Sequence, residues 1–502
     1  MRRRTPVLIV GAGPCGLAAA CALRMRGVEV RLVDAGADPA TGSRALQLWP
    51  PALDVLAELG VLEEAERRGT RVREMIYHLA GGRGLRVRLG RPNEPLLLPQ
   101  EQTNALLEER LGQLGGTVER SVTVIGVAVT DDGVIVKAQD ADGEIQLIEA
   151  DWLIAADGVR STVRDALGID FPGSPVRSPF LIAEGNFDGD YAPGDVHYYF
   201  GRTGSLVFAP MNNGLARAGF PVSDDFEPSA QAVQELLDER CAPGLRLTGL
   251  TAISKFASQE RIAVRFRQGR CFLVGDAAHT HAAVGGQGLN LGLQDIRNLA
   301  WKLAGVLDGR LSRCVLASYE TERRSAAEQI VHNTQQFVRM FTLPPWAAVA
   351  RNAVWRGLES TGVLRRWFAP LIAGRRIHYP QSLYGADPPG GVARALAVRA
   401  ARLARPGERT PHHLAGPAAG PRDVFQLCTS GAEDGELAVR ASRIAAERPD
   451  LVVHGRLPGG PAKGFMLLRP DGYVAASGTT RRELAHVHRL LDAITARAHQ
   501  EA

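Results

Sequence analysis

Lysine is nearly missing from this chain: only Lys137, Lys255, Lys302 and Lys463 stand among its 59 basic residues. The rest are arginines, spread over the whole length and mixed with 54 acidic residues. Without a dense basic block interleaved with aromatics, a net charge of +5 leaves no electrostatic footprint for DNA or RNA. Cysteine is scarce too. Cys15, Cys21, Cys241, Cys271, Cys314 and Cys428 stand singly, with no CxxC pair and no metal-ligand spacing. That pattern excludes a disulfide framework and a zinc module, and predicts small buried side chains in a reducing, cytoplasmic setting. Nor is there a membrane-length apolar run. The uncharged stretch Val7–Leu23 falls short of the roughly 20 residues a span needs, and Pro14 and glycines interrupt it.

What is present suits a loop-rich globular enzyme. Hydrophobic residues make up 45% of the 502 and charged residues 23%, enough for large cores and two to four domains.

The N-terminal stretch reads as strand, turn, helix and strand. Val7–Val10 is a buried parallel strand, Gly11–Gly16 a tight turn, Leu17–Met25 a helix ended by Gly27, and Glu29–Val33 a second strand ending at Asp34. This is the dinucleotide-binding βαβ. Gly11 permits the sharp turn, Gly13 lets the backbone approach a pyrophosphate, and Gly16 lets helix and strand pack closely. The helix N-terminus favours the phosphates, and Asp34 can accept from a ribose diol. On this unit alone, NAD and FAD are equally served.

Farther along, Val122–Val129, Val134–Ala138 and Ile145–Ile148, with turns at Asp131–Gly133 and Asp140–Gly143, predict a β-meander. Leu181–Phe187, Val196–Phe200, Ser205–Pro210 and Ala216–Val222, followed by a helix at Ala230–Arg240, predict an antiparallel sheet with helical cover, suited to a substrate domain. Strand alternation offers Tyr77, His197, Tyr199, Phe208 and Phe220 as pocket residues; for each, a packing role serves equally well. Residues 396–410 read as a linker, and 411–502 as a compact α/β unit whose one cysteine, Cys428, excludes dithiol chemistry.

Two further motifs follow strands. Asp157-Gly158-Val159-Arg160-Ser161 follows Trp152–Ala156. Gly275-Asp276 follows Cys271–Val274 and runs through Gly285, Gly286 and Gly288 into the helix Leu289–Leu307. With all three motifs in this order, and with the runs Gly275–Ala304 and Ala317–Arg324, the whole chain resembles the group A single-component flavoprotein aromatic hydroxylases, the family of p-hydroxybenzoate hydroxylase. Within it, the resemblance is to the branch acting on aromatic polyketides.

The resemblance implies an α/β fold. A Rossmann-like FAD-binding domain (1–174 plus 259–395) is joined by an α+β substrate domain (71–98 plus 175–258), a helical segment and a thioredoxin-like C-terminal domain. It implies FAD as cofactor, NADPH or NADH as transient reductant, and a polycyclic aromatic substrate with O2. No nucleic acid or membrane partner is implied, and a homodimer is compatible with it. Asp276 would meet ribityl hydroxyls, and the amides of Gly288, Leu289 and Asn290, preceded by Gly286, would face the flavin ring, where negative charge develops. Arg44 and Gln100 would also contact FAD, while Asp157 and Arg160 belong to the motif linked to both FAD and NAD(P)H. The chemistry implied is hydroxylation through a flavin C4a-hydroperoxide, with no protein nucleophile. Relatives use the same motifs for Baeyer–Villiger oxidation, epoxidation or ring rearrangement, and a non-catalytic flavin binder would need the cofactor site alone. One departure stands out. The loop carrying His281, Ala283 and Val284 lacks the proline the family places near the flavin, which predicts a looser loop there.

Overall fold

The computed structural model describes residues 4–40, 45–79, 85–176, 178–201, 204–240, 244–282, 284–341, 345–380, 398–401, 403–410, 423–432, 435–457 and 464–495. By internal contacts the chain divides into two units. One comprises residues 1–25, 29–294 and 327–375; the other comprises 26–28, 295–326 and 376–502.

The first unit is built on two large sheets, with two small three-stranded sheets beside them. Strand β1 (Thr5–Val10) lies between β2 (Val30–Val33) and β3 (Ile145–Ala155) and runs parallel to both, with Val7 opposite Val30 and Trp152. Such a central strand is covered on both faces, which is why Val7–Val10 is a continuous apolar run instead of an alternating one. Strand β4 (Cys271–Leu273) adds parallel to β3, and Val118–Glu119 adds parallel to β2. Strand β3 serves two ladders. Its first half pairs antiparallel with Val134–Gln139, which pairs in turn with Thr123–Val129, so the expected meander is continuous with the parallel sheet.

The second sheet has seven strands. Their order is Arg246–Phe256, Phe180–Asp188, Leu215–Pro221, Ser205–Pro210, Asp195–Phe200, Glu74–Leu79 and Leu85–Arg88. Residues two apart share a face. One face carries Met75, Tyr77, Val196 and Tyr198, packed with Trp355 and Phe368. The other carries Leu181, Tyr199, Phe208 and Phe220, packed with Val233 and Leu237 of the helix Ala230–Arg240. The sheet expected as a separate domain, 71–98 plus 175–258, clusters by internal contacts with the dinucleotide sheet in one unit.

The second unit holds a four-stranded sheet, ordered Val452–Arg456, Phe425–Ser430, Gly464–Leu468 and Val474–Gly478. The first pair is parallel and the others antiparallel, and the helices Glu436–Glu447 and Arg481–Thr495 complete a thioredoxin-like α/β arrangement. Cys428 is buried in it, and that burial pushes its thiol up to about 11. The segment expected as a linker is packed where it is described: Val398, Leu403 and Ala404 are buried against Met466 and Val474. Val398, Ala401, Leu403 and Ala404 are core, not spacer. Residues 295–326 also belong to this unit, and they bring an ionic core. Lys302 donates to Glu322 at 2.8 Å, and Arg469 donates to both Glu322 oxygens at 2.6 and 2.8 Å. Arg323 pairs with Asp295 at 2.7 Å, every partner at most 3% exposed. No described helix is long and apolar enough to cross a membrane.

Candidate functional site

Four loops leave the carboxyl ends of four neighbouring parallel strands, the edge where open α/β sheets bind ligands. The loop after β1 leads into helix α1 (Pro14–Arg24), whose N-terminus has proline in its first turn and no side-chain cap. Gly11 has φ +100°, a conformation that disfavours any side chain, and a Cβ there would stand 2.4 Å from the Ala156 carbonyl oxygen. A Cβ on Gly16 would stand 1.8 Å from the Gly11 oxygen. These two glycines are therefore required for packing. Gly13 differs: a Cβ there meets nothing within 4 Å. It faces open space beside an uncapped helix end, which is the cradle a pyrophosphate needs, and on that observation the residues fit a dinucleotide.

Asp34, at the end of β2, holds the loop in place. Its Oδ2 accepts from the Ala12 N–H at 2.6 Å and its Oδ1 from the Gly36 N–H at 2.8 Å. A carboxylate has about four lone-pair sites, so acceptor capacity for a ribose remains. After β3, Asp157 accepts from the Val163 N–H at 3.1 Å, and Ser161 caps the same short helix through the Arg164 N–H at 2.9 Å. Burial raises the Asp157 carboxyl above the usual carboxylate range, partly offset by Ser161 and the Val163 amide. Gly158 takes φ +79°, and Arg160 is exposed. Arg164 stands outside the motif Asp157–Ser161 and carries no signal in the sequence. It is buried, lies 4.1 Å over the Phe171 ring, and donates to the Ala277 carbonyl at 3.3 Å, tying the second motif to the third.

After β4, Asp276 stands exposed in the turn Gly275–Ala277. Cβ atoms on Gly275 and Gly292 would lie 2.7 and 2.5 Å from Cys15 Sγ, so the first and third motifs interlock there. Gly285 and Gly286, at φ +78° and +61°, turn the chain into helix α2 (Gly288–Leu307). A Cβ on Gly288 also meets nothing within 4 Å, leaving that helix start open. Leu289 is half-buried, whereas Asn290 is buried and spends its side chain on structure. It donates to the Gln47 and Gly286 carbonyls at 2.7 and 2.6 Å and accepts from the Trp49 N–H at 2.6 Å. Gln100 opens the helix Gln100–Gln113, and its Oε1 accepts from the Ala45 N–H at 3.3 Å. Arg44 and Ala283 lie outside the described residues, and Val284 is described only as the start of the turn Val284–Gly286. The His281 ring stacks 5.3 Å from that of buried His279.

A cavity of about 250 Å³ opens beside this loop, close to the lower end of the roughly 300–1,000 Å³ range of small-molecule pockets. Trp49, Gly285 and Gln287 line it on the loop side, and Met75, Tyr77 and Tyr198 on the sheet side. Trp367 and Phe368, from the π-helical turn Leu364–Phe368, close a third side. Tyr77 and Tyr198 stack with centroids 5.1 Å apart, and burial pushes both phenols above their usual range. Of the five pocket residues expected from alternation, only Tyr77 lines this cavity. His197, Tyr199, Phe208 and Phe220 lie on the opposite face: on Asp195–Phe200, residues 196 and 198 point to the cavity side and 197 and 199 point away, toward Phe208 and Phe220 of the neighbouring strands. There His197 Nδ1 meets His78 Nε2 at 3.0 Å, and burial, with His78 and Arg86 adding to it, brings the His197 imidazole down to about 4. Tyr198, Trp49 and Phe368 were not singled out from sequence. The alternation on Val196–Phe200 contained Tyr198 but left open which face is inward.

The family described as FAD binding domain matches residues 4–334. The chain is 32% identical to a 6-methylpretetramide 4-monooxygenase of Streptomyces rimosus, over 94% of this chain and 90% of that protein. It is 31% identical to a rifampicin monooxygenase of Streptomyces venezuelae, over 95% of this chain and 96% of the relative. Among solved structures, an anhydrotetracycline hydroxylase from Streptomyces rimosus matches with a TM-score of 0.74 at 27% identity, covering 98% and 99% of the two chains.

Proposed function

The chain belongs to the FAD binding domain family and is an FAD-dependent aromatic monooxygenase; from that premise we propose that it hydroxylates a polycyclic, polyketide-type aromatic held in the cavity between Gly285 and the Tyr77–Tyr198 pair. One observation carries the reading: the loop that opens helix α2 borders both the dinucleotide edge and this apolar cavity. Bound FAD, reduced by NADPH or NADH, supplies the activation of dioxygen that gives one oxygen atom to the substrate.

The protein's own part is binding, orientation and exclusion of water. Gly13 and the start of α1 would hold the pyrophosphate, and Asp34 the ribose. Asp276 would meet the ribityl chain, and the amides of Gly288–Asn290 would face the ring, with Gln100 and Arg44 beside it. Asp157 and Arg160 would serve the encounter with NAD(P)H. Stacked Tyr77 and Tyr198 present an apolar wall that orients a flat ring system and keeps the site dry. Their raised phenol pKa values keep both neutral, so neither acts as a base at physiological pH.

The test uses FAD-loaded protein, NADPH or NADH, labelled dioxygen and a panel of polycyclic phenols and quinones. A product gaining one labelled oxygen atom per reductant consumed is expected. NAD(P)H oxidation that yields only hydrogen peroxide with every member would overturn the substrate assignment.

A further inference from the structure

Three of the polar residues that line the cavity, Asn333, Thr334 and Gln336, come from one helix. Ile330, Asn333 and Thr334 stand at i, i+3 and i+4 on the helix Ala317–Phe341, a spacing that puts all three on one side of it, and all three line the cavity. The facing walls, Met75, Tyr77, Tyr198 and Phe368, are packed and apolar apart from two phenols, and Tyr77 Oη already rests 3.5 Å from Met75 Sδ. The Asn333 amide and the Thr334 hydroxyl make no hydrogen bond to any described residue and stay half-buried against the cavity. Gln287, by contrast, spends its amide N–H on the Ile372 carbonyl at 3.0 Å. No described residue lining the cavity carries a charge.

From this arrangement we propose that Asn333 and Thr334 determine specificity: they read oxygen substituents along one edge of an uncharged fused-ring ligand, whose faces lie against the apolar walls. The inference rests on the reading of the cavity as the substrate site and adds which chemistry it selects. An amide and a hydroxyl each donate and accept, so the pair meets a phenol O–H or a quinone carbonyl equally well. A carboxylate or sulfonate has no cationic partner among the described lining residues, and burying an unpaired charge is costly. A hydrocarbon of the same shape fits the walls but leaves the two polar groups unmatched. A site built to bond an oxygen discriminates strongly against the analogue that lacks it.

The experiment titrates FAD-loaded protein with three probes, dihydroxyanthraquinone (danthron), anthracene and anthraquinone carboxylate. It is run at mildly acidic pH, where the phenols stay protonated, and followed by quenching of tryptophan fluorescence, since Trp49 and Trp367 line the cavity. Danthron is expected to bind at least tenfold more tightly than the carboxylate. The Asn333→Leu, Thr334→Val double variant, with FAD content unchanged as the check on folding, is expected to lose at least tenfold for danthron and to bind anthracene as before. Danthron affinity unchanged in the double variant would overturn the proposal, as would a carboxylate bound as tightly as danthron, or no danthron binding by the wild type. An Ile330→Trp variant, which fills the cavity, separates the two levels. If it leaves danthron binding intact, the ligand is elsewhere and the cavity assignment itself fails. If it abolishes binding while the double variant does not, only the specificity assignment fails.

Discussion

Asn290 and Trp49 are locked together at the entrance to the cavity. Asn290 Oδ1 accepts the Trp49 backbone N–H at 2.6 Å, and the Trp49 indole N–H donates to the Gly285 carbonyl at 2.9 Å. Asn290 Nδ2 closes the loop by donating to the Gly286 and Gln47 carbonyls. One buried amide thereby sets the backbone of both walls. Asn290→Leu leaves the Trp49 N–H and two carbonyls unsatisfied, at about 1–3 kcal/mol for each buried group. Lower thermal stability and weaker FAD retention are expected together. Asn290→Asp keeps an acceptor for Trp49 but sets a buried carboxylate oxygen against the Gln47 and Gly286 carbonyls, and should lose at least as much. Thermal unfolding and FAD content after gel filtration check both variants; native stability in either would mean that the Asn290 amide does not hold the two walls.

The glycines of the first turn should separate by role. Gly16→Ala places a methyl 1.8 Å from the Gly11 carbonyl and should prevent native folding of the first unit. A Cβ at Gly13 meets nothing within 4 Å, so the fold should persist in Gly13→Val while FAD affinity falls at least tenfold, about 1.4 kcal/mol. Circular dichroism and the ratio of flavin to protein distinguish them. A Gly13→Val protein with full FAD occupancy would show that no phosphate approaches there.

His197 predicts acid sensitivity. Its folded-state pKa is lowered to about 4 by burial, with His78 and Arg86 adding to it and Asp190 opposing. In the unfolded chain histidine titrates near 6.5. The neutral form is favoured by folding, so this contribution is fully present above about 6.5 and is lost as pH falls toward about 4. At one kcal/mol or a little more per pH unit, the whole effect is at most about 3 kcal/mol. His197→Gln should flatten the dependence of stability on pH over that window. Denaturant titrations at several pH values measure the slope, and an unchanged slope would assign the acid sensitivity elsewhere.

Glu322 is expected to be the most sensitive charge in the second unit. Although burial raises its pKa, Arg469 and Lys302 bring the carboxyl down to about 2. The stability this gives is present above the usual glutamate value near 4.3 and fades as pH falls toward about 2. Glu322→Gln leaves two buried cations short of a partner, costing about 3–5 kcal/mol. Lys302→Met should cost less, because Arg469 still makes two bonds to Glu322. Urea unfolding followed by far-ultraviolet circular dichroism orders the two variants; a milder Glu322→Gln would contradict the assignment.

The βαβ unit, the meander and the loops at the carboxyl edge were legible in the amino-acid sequence. Each is specified by local backbone demands. Gly11, Gly158, Gly275, Gly285 and Gly286 sit at positive φ, where other residues are strained, and the buried parallel strands need unbroken apolar runs. Asp34 and Asp276 could be placed because they follow strands directly. What the tertiary structure alone decided is which side of each element meets what. Tyr198 and Tyr199 are adjacent and chemically alike, yet one lines the cavity and the other packs beneath a helix. The choice depends on parallel pairing with Glu74–Leu79, more than a hundred residues earlier. Glu322 and Arg323 are charged yet buried, because their partners Arg469 and Asp295 come from distant or separate elements. Val398, Ala401, Leu403 and Ala404 fall in a stretch that reads as a linker and pack as core for the same reason. Backbone conformation is a property of a few neighbouring residues, whereas burial belongs to surfaces that meet only once the chain has folded.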